Sequence, residues 1–302
     1  MIKKKILITG STGLLGEHLI HSAPTNTTLI GTFHTTEPRI HSKNVRYTML
    51  DLHNIDSIER LVKSTRPNVV IHCASLGNVD YCQTHKEEAT RINTHATNAI
   101  FTACTSINAK FVFLSTNAIY NGKKPPYNEL STPDPIDHYG VTKFLAEQNL
   151  PHNSNNVLIV RLMTMYGWNN PKERNNPVTW LINEFKKKSD LHIVDDVYNN
   201  HLYADDAARA IWKLIDLNKF GVYNIAGPEV MSRYQLARLV ASMFNFKGKI
   251  ISVSSSYFPS LAPTPSNTSF SIAKIKKDIL FRPKSIAAGL KHMKKLAKKE
   301  NA

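Results

Sequence analysis

Two short segments near the middle of the chain carry residue types that can transfer a proton. Tyr139 and Lys143 are four residues apart in a helical pattern, so their side chains project from one face of the helix. A lysine ammonium beside a tyrosine hydroxyl favours the phenolate and lowers the tyrosine pKa from its usual value of about 10. Thr116 ends an apolar run and offers a hydroxyl that can hold a substrate oxygen next to Tyr139. This spacing indicates acid–base chemistry on a carbonyl or an alcohol.

Each of these residues also has a purely structural interpretation. A Tyr-x-x-x-Lys pair arises by chance in many helices, Tyr139 is consistent with a surface or interdomain aromatic, and Thr116 with a strand-end cap. Ser115 is the weaker hydroxyl candidate, because alternate residues of a strand point to opposite faces. The chemical interpretation therefore depends on what precedes these residues in the chain.

The beginning of the chain supplies that context. Residues 5–9 have the pattern of a buried parallel strand, and Gly10, Gly13 and Gly16 follow before a helical pattern through Ile20. Strand, glycine turn and helix in this order are the context of a dinucleotide-binding fingerprint, in which the helix N-terminus receives the phosphates. Gly10 permits the tight turn, Gly13 lets a pyrophosphate approach, and Gly16 allows the helix to pack on the strand. An ordinary glycine-rich turn is the alternative.

The Gly-x-x-Gly-x-x-Gly spacing resembles that of the extended short-chain dehydrogenase/reductase superfamily. Further segments narrow the resemblance to the dTDP-4-dehydrorhamnose reductase family: 67–75, 78–82, 114–122, 139–147, 161–167 and 205–210. The resemblance covers nearly the whole chain. It implies an NAD(P)H-dependent reductase of a nucleotide-linked 4-keto-6-deoxy sugar, in nucleotide-sugar and polysaccharide precursor synthesis. Tyr139 would donate the proton, Lys143 would support its pKa and contact the nicotinamide ribose, and Thr116 would orient the carbonyl.

The residues after the second expected strand favour NADPH over NADH. Positions 32–36 contain no acid to bind the ribose 2′-hydroxyl of NAD, whereas His34, Arg39 and Lys43 offer partners for a 2′-phosphate. Arg39 and Lys43 would alternatively lie in a loop that touches nothing. The resemblance places Asp51 and Leu52 near the adenine, although Asp51 is also consistent with a helix cap or a turn cap. The expected cofactor-binding residues are Gly10, Ser11, Thr12, Gly13, Leu14, Leu15, Gly16, His34, Arg39, Asp51, Leu52, Cys73, Ala74, Ser75, Tyr139 and Lys143.

The substrate side is less well defined. Its expected contacts follow the carboxyl ends of strands, where ligands bind in open α/β sheets, and all are equally consistent with turn or packing roles. Two departures from the family pattern lie on this side: His201-Leu202 replaces a Pro-Thr pair, and residues 263–268 lack the Arg expected between the prolines. The expected substrate-binding residues are Asn78, Asp80, Thr116, Asn117, Tyr139 and His201, with Met163 and Thr164 as further candidates.

Alternating strand and helix patterns predict an α/β fold of Rossmann type, a doubly wound parallel sheet with a smaller C-terminal substrate domain. Strands are expected at 5–9, 28–33, 45–50, 68–73, 110–115, 157–162 and 222–226, and helices at 13–21, 55–65, 85–107, 139–150, 178–188, 205–217 and 232–244. Residues 252–271 read as irregular loop. The expected dinucleotide-binding domain is 1–163, with 205–226 returning to it, and the expected substrate domain is 164–204 and 227–302.

Composition excludes some function classes. The 302 residues carry a formal charge of +15, concentrated in lysine-rich runs at 186–188, 274–277 and 291–299. A solvated basic surface is the favoured interpretation. The alternatives are a nucleic acid, an anionic membrane surface, and a dinucleotide or nucleotide-sugar partner, although no nucleic-acid-binding module is visible. The three cysteines lack metal or disulfide spacing, no apolar run is long enough to span a membrane, and a cytoplasmic location is expected. A homodimer stays open, and no metal site is expected.

Two other functions are also consistent with this sequence. An epimerase or dehydratase of the same superfamily would retain its cofactor, but a dehydratase would carry Glu after Thr116, where this chain has Asn117. A non-catalytic NADP-binding regulatory subunit is the third possibility, since the related methionine adenosyltransferase regulatory subunit uses this scaffold. The intact pair of Tyr139 and Lys143 favours an enzyme.

Overall fold

The computed structural model describes residues 3–187 and 190–300. Its first part alternates strands and helices: β1 Lys4–Thr9, α1 Leu14–His21, β2 Thr27–Phe33, β3 Val45–Met49, α2 Ile55–Thr65, β4 Val69–His72, α3 Val79–Thr84, α4 Lys86–Thr90, a π-helical turn Arg91–His95, α5 Ala96–Ser106, β5 Lys110–Thr116, a 3₁₀ turn Asn117–Ile119, α6 His138–Gln148 and β6 Val157–Leu162.

The remaining elements alternate less regularly. They are β7 Met165–Tyr166, α7 Pro177–Lys186, β8 Leu191–Val194, β9 Tyr198–Asn199, β10 Leu202–Tyr203, α8 Ala204–Asp216, β11 Gly221–Ile225, β12 Met231–Ser232, α9 Arg233–Phe244, β13 Ile250–Val253, a 3₁₀ turn Ser255–Tyr257, α10 Ala273–Ile279 and α11 Ile286–Glu300.

A seven-stranded parallel sheet forms the centre of the molecule, in the order β11-β6-β5-β4-β1-β2-β3. The α/β Rossmann-type prediction is confirmed. Every residue of β4, β5 and β6 is buried, as expected for strands covered on both faces. The strand order reverses beside β1, which pairs with β2 on one side and β4 on the other. Ligands of such sheets bind at the carboxyl ends of the strands at this switch point.

Helices cover both faces of the sheet, and alternate residues of β1 supply both cores. Ile6 and Ile8 join the core formed with α1, α8 and α10, whereas Leu7 joins the core formed with α2 and α5. The segment expected to return to the sheet does so, because β11 pairs with β6. A third core gathers side chains of α7, α9, α11 and β8. The domain limits themselves stay a prediction.

Some predicted elements differ from the structure. The segment 252–271 begins with the end of β13, which pairs with β8; the mixed burial of this short strand hid it among serines. The six-residue α3 was not predicted, and the expected helix 85–107 is interrupted by the π-helical turn. Ser232 caps α9 as predicted, in a capping box with Gln235. Residue 188, the last of a predicted helix and of one basic run, lies outside the described residues.

Candidate active site

A cavity of about 620 Å³ opens at the carboxyl ends of the sheet strands, between the sheet and the third core. Most of the residues predicted from the sequence line it: Gly10, Gly13, Leu14, Leu15, Gly16, Cys73, Ser75, Asn78, Asp80, Thr116, Asn117, Tyr139 and Lys143, with Met163 and Thr164. The other predicted residues do not line it: Ser11, Thr12, His34, Arg39, Asp51, Leu52, Ala74 and His201.

The glycine turn has the space that a dinucleotide requires. Gly10 has a φ of +61°, and a Cβ there would lie 2.7 Å from the Ala74 backbone. A Cβ on Gly16 would lie 2.3 Å from the Gly10 carbonyl oxygen, so α1 packs directly on the turn. A Cβ on Gly13 would meet only that same oxygen, at 3.5 Å. Gly13 caps α1 without a side-chain hydrogen bond, so the first N–H groups of the helix can receive a phosphate.

Ser11 and Thr12 support this turn from behind. The hydroxyl of Ser11 donates to the carbonyl oxygen of Thr32 at 2.9 Å and its N–H donates to the same oxygen at 2.8 Å. Both Ser11 and Thr12 are buried. Ala74 donates its N–H to the Thr9 hydroxyl at 3.2 Å. These contacts tie the turn to β1, β2 and the residues after β4, and the donor set fits a dinucleotide.

The region expected to meet the adenine and ribose is held by local contacts. Asp51 accepts hydrogen bonds from the N–H and the ring Nδ1 of His53, at 2.9 and 2.8 Å, and these bonds lower the pKa of the Asp51 carboxyl. The Nε2 atom of His34 lies 4.0 Å from the same carboxylate, and Leu52 is buried. Asp51 thus has the turn-capping contacts of the alternative interpretation. Its contact with adenine stays a prediction.

Arg39 does not lie in a loop that touches nothing. Its Nε and Nη2 atoms donate to the two carboxylate oxygens of Glu17, each at 2.7 Å. Glu17 is buried on α1, so this bidentate pair fastens the segment between β2 and β3 to the helix that follows the glycine turn. Binding of a 2′-phosphate by Arg39 stays a prediction, and would use a guanidinium already held beside the site.

Tyr139 and Thr116 meet in the cavity. Thr116 and Tyr139 both line the cavity, and the Thr116 hydroxyl accepts from the N–H of Ala118 at 3.2 Å, so Thr116 is a strand-end cap within the site. Burial raises the pKa of Tyr139 to about 12, although the nearby Thr116 hydroxyl acts to lower it. The lowered pKa expected from the sequence is therefore wrong, because burial outweighs the favourable contacts of the phenolate.

Lys143 is buried one helical turn after Tyr139. Its ammonium lies 4.3 Å from the centre of the Phe113 ring, which is a cation–π contact with strand β5. Burial lowers the pKa of Lys143 to about 7, while Glu147 and Cys73 act in the opposite direction. Lys143 can therefore change its charge near neutral pH, in the same cavity as Tyr139.

Helix α6 is fixed at both ends, which positions Tyr139 and Lys143. Asp137 caps it by accepting from the N–H of Gly140 at 2.8 Å. At the other end, Glu147 forms a buried ion pair with Arg161 of β6, with 2.7 Å between Nη2 and the carboxylate. Arg161 also donates to the Tyr120 hydroxyl at 2.8 Å. A Cβ on Gly140 would lie 2.2 Å from the Ala118 carbonyl oxygen, so only glycine lets α6 approach the residues after Thr116 this closely.

Asn93 is a buried positioning residue that the sequence did not reveal. It lies in the π-helical turn, where its side-chain oxygen accepts from the Leu76 N–H at 2.8 Å and the Ser75 hydroxyl at 2.9 Å. Its amide nitrogen donates to the Thr142 hydroxyl at 3.1 Å. Asn93 thereby connects the residues after β4 to the helix of Tyr139. No local pattern marks an asparagine for this role.

The predicted substrate contacts are partly used within the protein. Asp80 accepts the N–H of Ala262 at 3.1 Å, and the Asn117 amide donates to the Thr268 hydroxyl at 2.7 Å. His201 is 2 % exposed and its Nδ1 has no partner. Burial, followed by the charge of Arg233, lowers the pKa of His201 to about 4. Its place behind the cavity wall leaves its predicted substrate contact untested.

Two arginines line the substrate half of the cavity and were not predicted. Arg174 precedes α7 and Arg233 begins α9. Neither belongs to a motif identified in the sequence, and the fold brings them to the cavity. Within residues 3–187 and 190–300, no group of His, Cys, Asp and Glu has the geometry to hold a metal ion, and no helix is long and apolar enough to cross a membrane.

Comparison with known proteins assigns the family. The family model described as the RmlD substrate binding domain matches residues 4–298. The chain belongs to this family. A relative of this RmlD family member, methionine adenosyltransferase 2 subunit beta of Xenopus tropicalis, is 25% identical over 280 residues, which are 91% of this chain and 82% of that protein. The spore coat polysaccharide biosynthesis protein SpsK of Bacillus subtilis is 27% identical over 220 residues, 72% of this chain and 75% of SpsK.

Solved structures agree with this assignment. A dTDP-4-dehydrorhamnose reductase from Bacillus anthracis, in complex with NADP, matches the RmlD family member with a TM-score of 0.85 and 26% identity, covering 96% of this chain and 98% of the reductase. A dTDP-4-dehydrorhamnose reductase from Yersinia enterocolitica matches with a TM-score of 0.82 and 29% identity, covering 96% and 98% of the two chains.

Proposed function

We propose that this RmlD family member is an NADPH-dependent reductase of a nucleotide-linked 4-keto-6-deoxy sugar. The observation that carries the proposal is that Thr116, Tyr139 and Lys143 line one cavity together with the glycine turn. The similarity to the reductase from Bacillus anthracis and to SpsK supports a sugar-nucleotide substrate. A precursor of a polysaccharide is the expected product.

The residues present fit a nicotinamide dinucleotide. The N–H groups at the start of α1 would hold the pyrophosphate, Gly13 would leave room for it, and Cys73 and Ser75 would border the ribose and nicotinamide side. When bound, the reduced nicotinamide supplies a hydride. Positions 32–36 contain no acid to bind the 2′-hydroxyl of NADH, and His34 in this segment can donate to a 2′-phosphate. Both features favour NADPH, with NADH as the alternative.

Tyr139 would give its hydroxyl proton to the carbonyl oxygen of the substrate. A hydroxyl with its pKa raised to about 12 keeps its proton near neutral pH, which is the form that a reduction requires. Thr116 would hold the carbonyl oxygen in place, and the charged form of Lys143 would stabilise the phenolate that remains. Because Lys143 has a pKa of about 7, it can then return a proton to Tyr139 and be reprotonated from water.

The test is the oxidation of NADPH and NADH, followed by nicotinamide absorbance, with dTDP-4-keto-6-deoxy-L-mannose as substrate. Removing the hydroxyl in Tyr139→Phe should lower kcat about 10²–10⁴-fold and leave NADPH binding unchanged. The control is Tyr257→Phe, since Tyr257 is 55% exposed and does not line the cavity. Equal turnover of wild type and Tyr139→Phe would refute the proposal.

A second candidate is a non-catalytic NADP-binding subunit. It is favoured by the similarity to methionine adenosyltransferase 2 subunit beta over 91% of this chain. This function predicts stable co-purification with a larger enzyme, binding of NADP and a Tyr139→Phe variant that works as well as wild type. An epimerase is the third candidate, and would form product without net oxidation of NADPH.

A further inference from the structure

The substrate half of the cavity contains two arginine side chains that have no ion-pair partner in the part of the chain that the structure describes. Arg174 and Arg233 lie on different segments, before α7 and at the start of α9, and both line the cavity. Neither forms an ion pair with any carboxylate of the described residues. Arg174 donates from Nη1 to the Gly77 carbonyl oxygen at 2.6 Å, and its other N–H groups are not used in this way.

Carboxylates near these arginines are already occupied. Asp196, whose charge acts on Arg233, accepts the Ser255 N–H at 2.9 Å and the Ser254 hydroxyl at 3.0 Å. The two carboxylates that line the cavity are Asp80 and Asp137, and each accepts a backbone N–H. The side chains of Arg174 and Arg233 are both exposed where they line the cavity, so their guanidinium groups can reach an anionic ligand there.

Besides Lys143, the cations among the lining residues are Arg174 and Arg233, and Thr264 between Pro263 and Pro265 is uncharged. The two guanidinium groups therefore supply the positive charge of the substrate half. A guanidinium presents paired N–H donors that match phosphate oxygens, and a nucleoside diphosphate sugar carries two phosphate charges, one for each arginine.

We propose that Arg233, together with Arg174, binds the diphosphate of the nucleotide-sugar substrate. The inference rests on the proposed function and deepens it by naming the residues that recognise the anionic part of the substrate. It also divides the cavity: the N-terminus of α1 receives the phosphates of the cofactor, and the two arginines receive those of the substrate.

The experiment is calorimetric titration with dTDP and with UDP, in the presence of saturating NADP⁺ so that the cofactor phosphates do not compete. Arg233→Ala should raise the Kd for dTDP or UDP about 10–100-fold, and Arg174→Ala should also raise this Kd. Arg238→Ala is the matched control, because Arg238 is exposed on the same helix, contacts the Tyr234 ring and does not line the cavity. The Kd for NADP⁺ should be unchanged in all three variants.

The outcomes separate this inference from the proposed function. If wild type reduces the keto-sugar nucleotide and Arg233→Ala has an unchanged KM, the inference is wrong and the reductase stands. If the Kd for dTDP depends on Arg233 but no keto-sugar is reduced, the inference stands and the reductase does not. If wild type binds neither nucleotide, both are wrong. Should Arg233→Ala not fold, Arg233→Gln and Arg174→Gln, both at exposed positions, provide the same comparison.

Discussion

Replacing the carboxylate of Glu147 by an amide tests how the helix of Tyr139 is held. The side chains of Glu147 and Arg161 are 1% and 4% exposed, so Glu147→Gln leaves a guanidinium charge buried without its counter-ion. Breaking a buried pair in this way costs about 3–5 kcal/mol. Arg161 keeps two neutral acceptors, the Tyr120 hydroxyl at 2.8 Å and the Glu129 carbonyl at 3.2 Å, which places the expectation near 3 kcal/mol, about the lower end of that range.

The assay is urea unfolding of wild type, Glu147→Gln and a control, Glu59→Gln. Glu59 pairs with Lys63 at 3.3 Å on α2, but these side chains are 44% and 51% exposed, so its loss should cost less than about 1 kcal/mol. Because the charge of Glu147 raises the pKa of Lys143, Glu147→Gln should also lower that pKa further. A Glu147→Gln variant as stable as Glu59→Gln would refute the view that this pair anchors α6.

Two further predictions concern the cofactor turn and the buried lysine. Gly13→Ala should weaken NADPH binding without lowering stability, whereas Gly16→Ala should lower stability, because its Cβ would lie 2.3 Å from the Gly10 carbonyl oxygen. Calorimetry measures the Kd for NADPH, and urea unfolding measures the free energy of unfolding. Equal effects of the two substitutions on both quantities would contradict the different roles assigned to the two glycines. The pKa of Lys143 falls from 10.5 to about 7 on folding, so between these values the unfolded chain binds more protons and stability rises with pH. Without cofactor and at about pH 6, the free energy of unfolding of Lys143→Met should exceed that of wild type by on the order of a few kcal/mol. This difference should shrink as the pH rises towards about 10. A difference that does not change with pH would contradict the burial of a charged lysine.

The sheet was predictable because its strands are apolar runs bounded by turn residues. Strands buried on both faces, such as β5, carry an unbroken signal, and their parallel order brings the residues that follow them to one edge. Thr116 and Tyr139 could therefore be assigned to one site from sequence. The short β13, with its mixed burial, carries no comparable signal, and neither does the six-residue α3.

The parts of the site that were missed depend on tertiary structure. Arg174 and Arg233 are brought to the cavity by the packing of α7 and α9, which no local pattern reveals. The pKa of Tyr139 was expected to fall because the sequence shows its partner Lys143, but it does not show how deeply the hydroxyl is surrounded by protein. The spacing of Tyr139 and Lys143 shows that they are neighbours, but only the tertiary structure shows how deeply each is buried.

The π-helical turn at Arg91–His95 makes the length of this segment part of the site. A π turn holds one residue more than the α-helix around it, so deleting one residue there would restore a regular helix. Each residue turns an α-helix by about 100°, and the deletion would therefore rotate Ala96–Ser106 against the sheet or pull Asn93 away from Leu76 and Thr142. A change of length in this segment would alter every contact that follows it, whereas a substitution alters the contacts of its own position. The number of residues in this segment therefore matters more to the site than the identity of most of them.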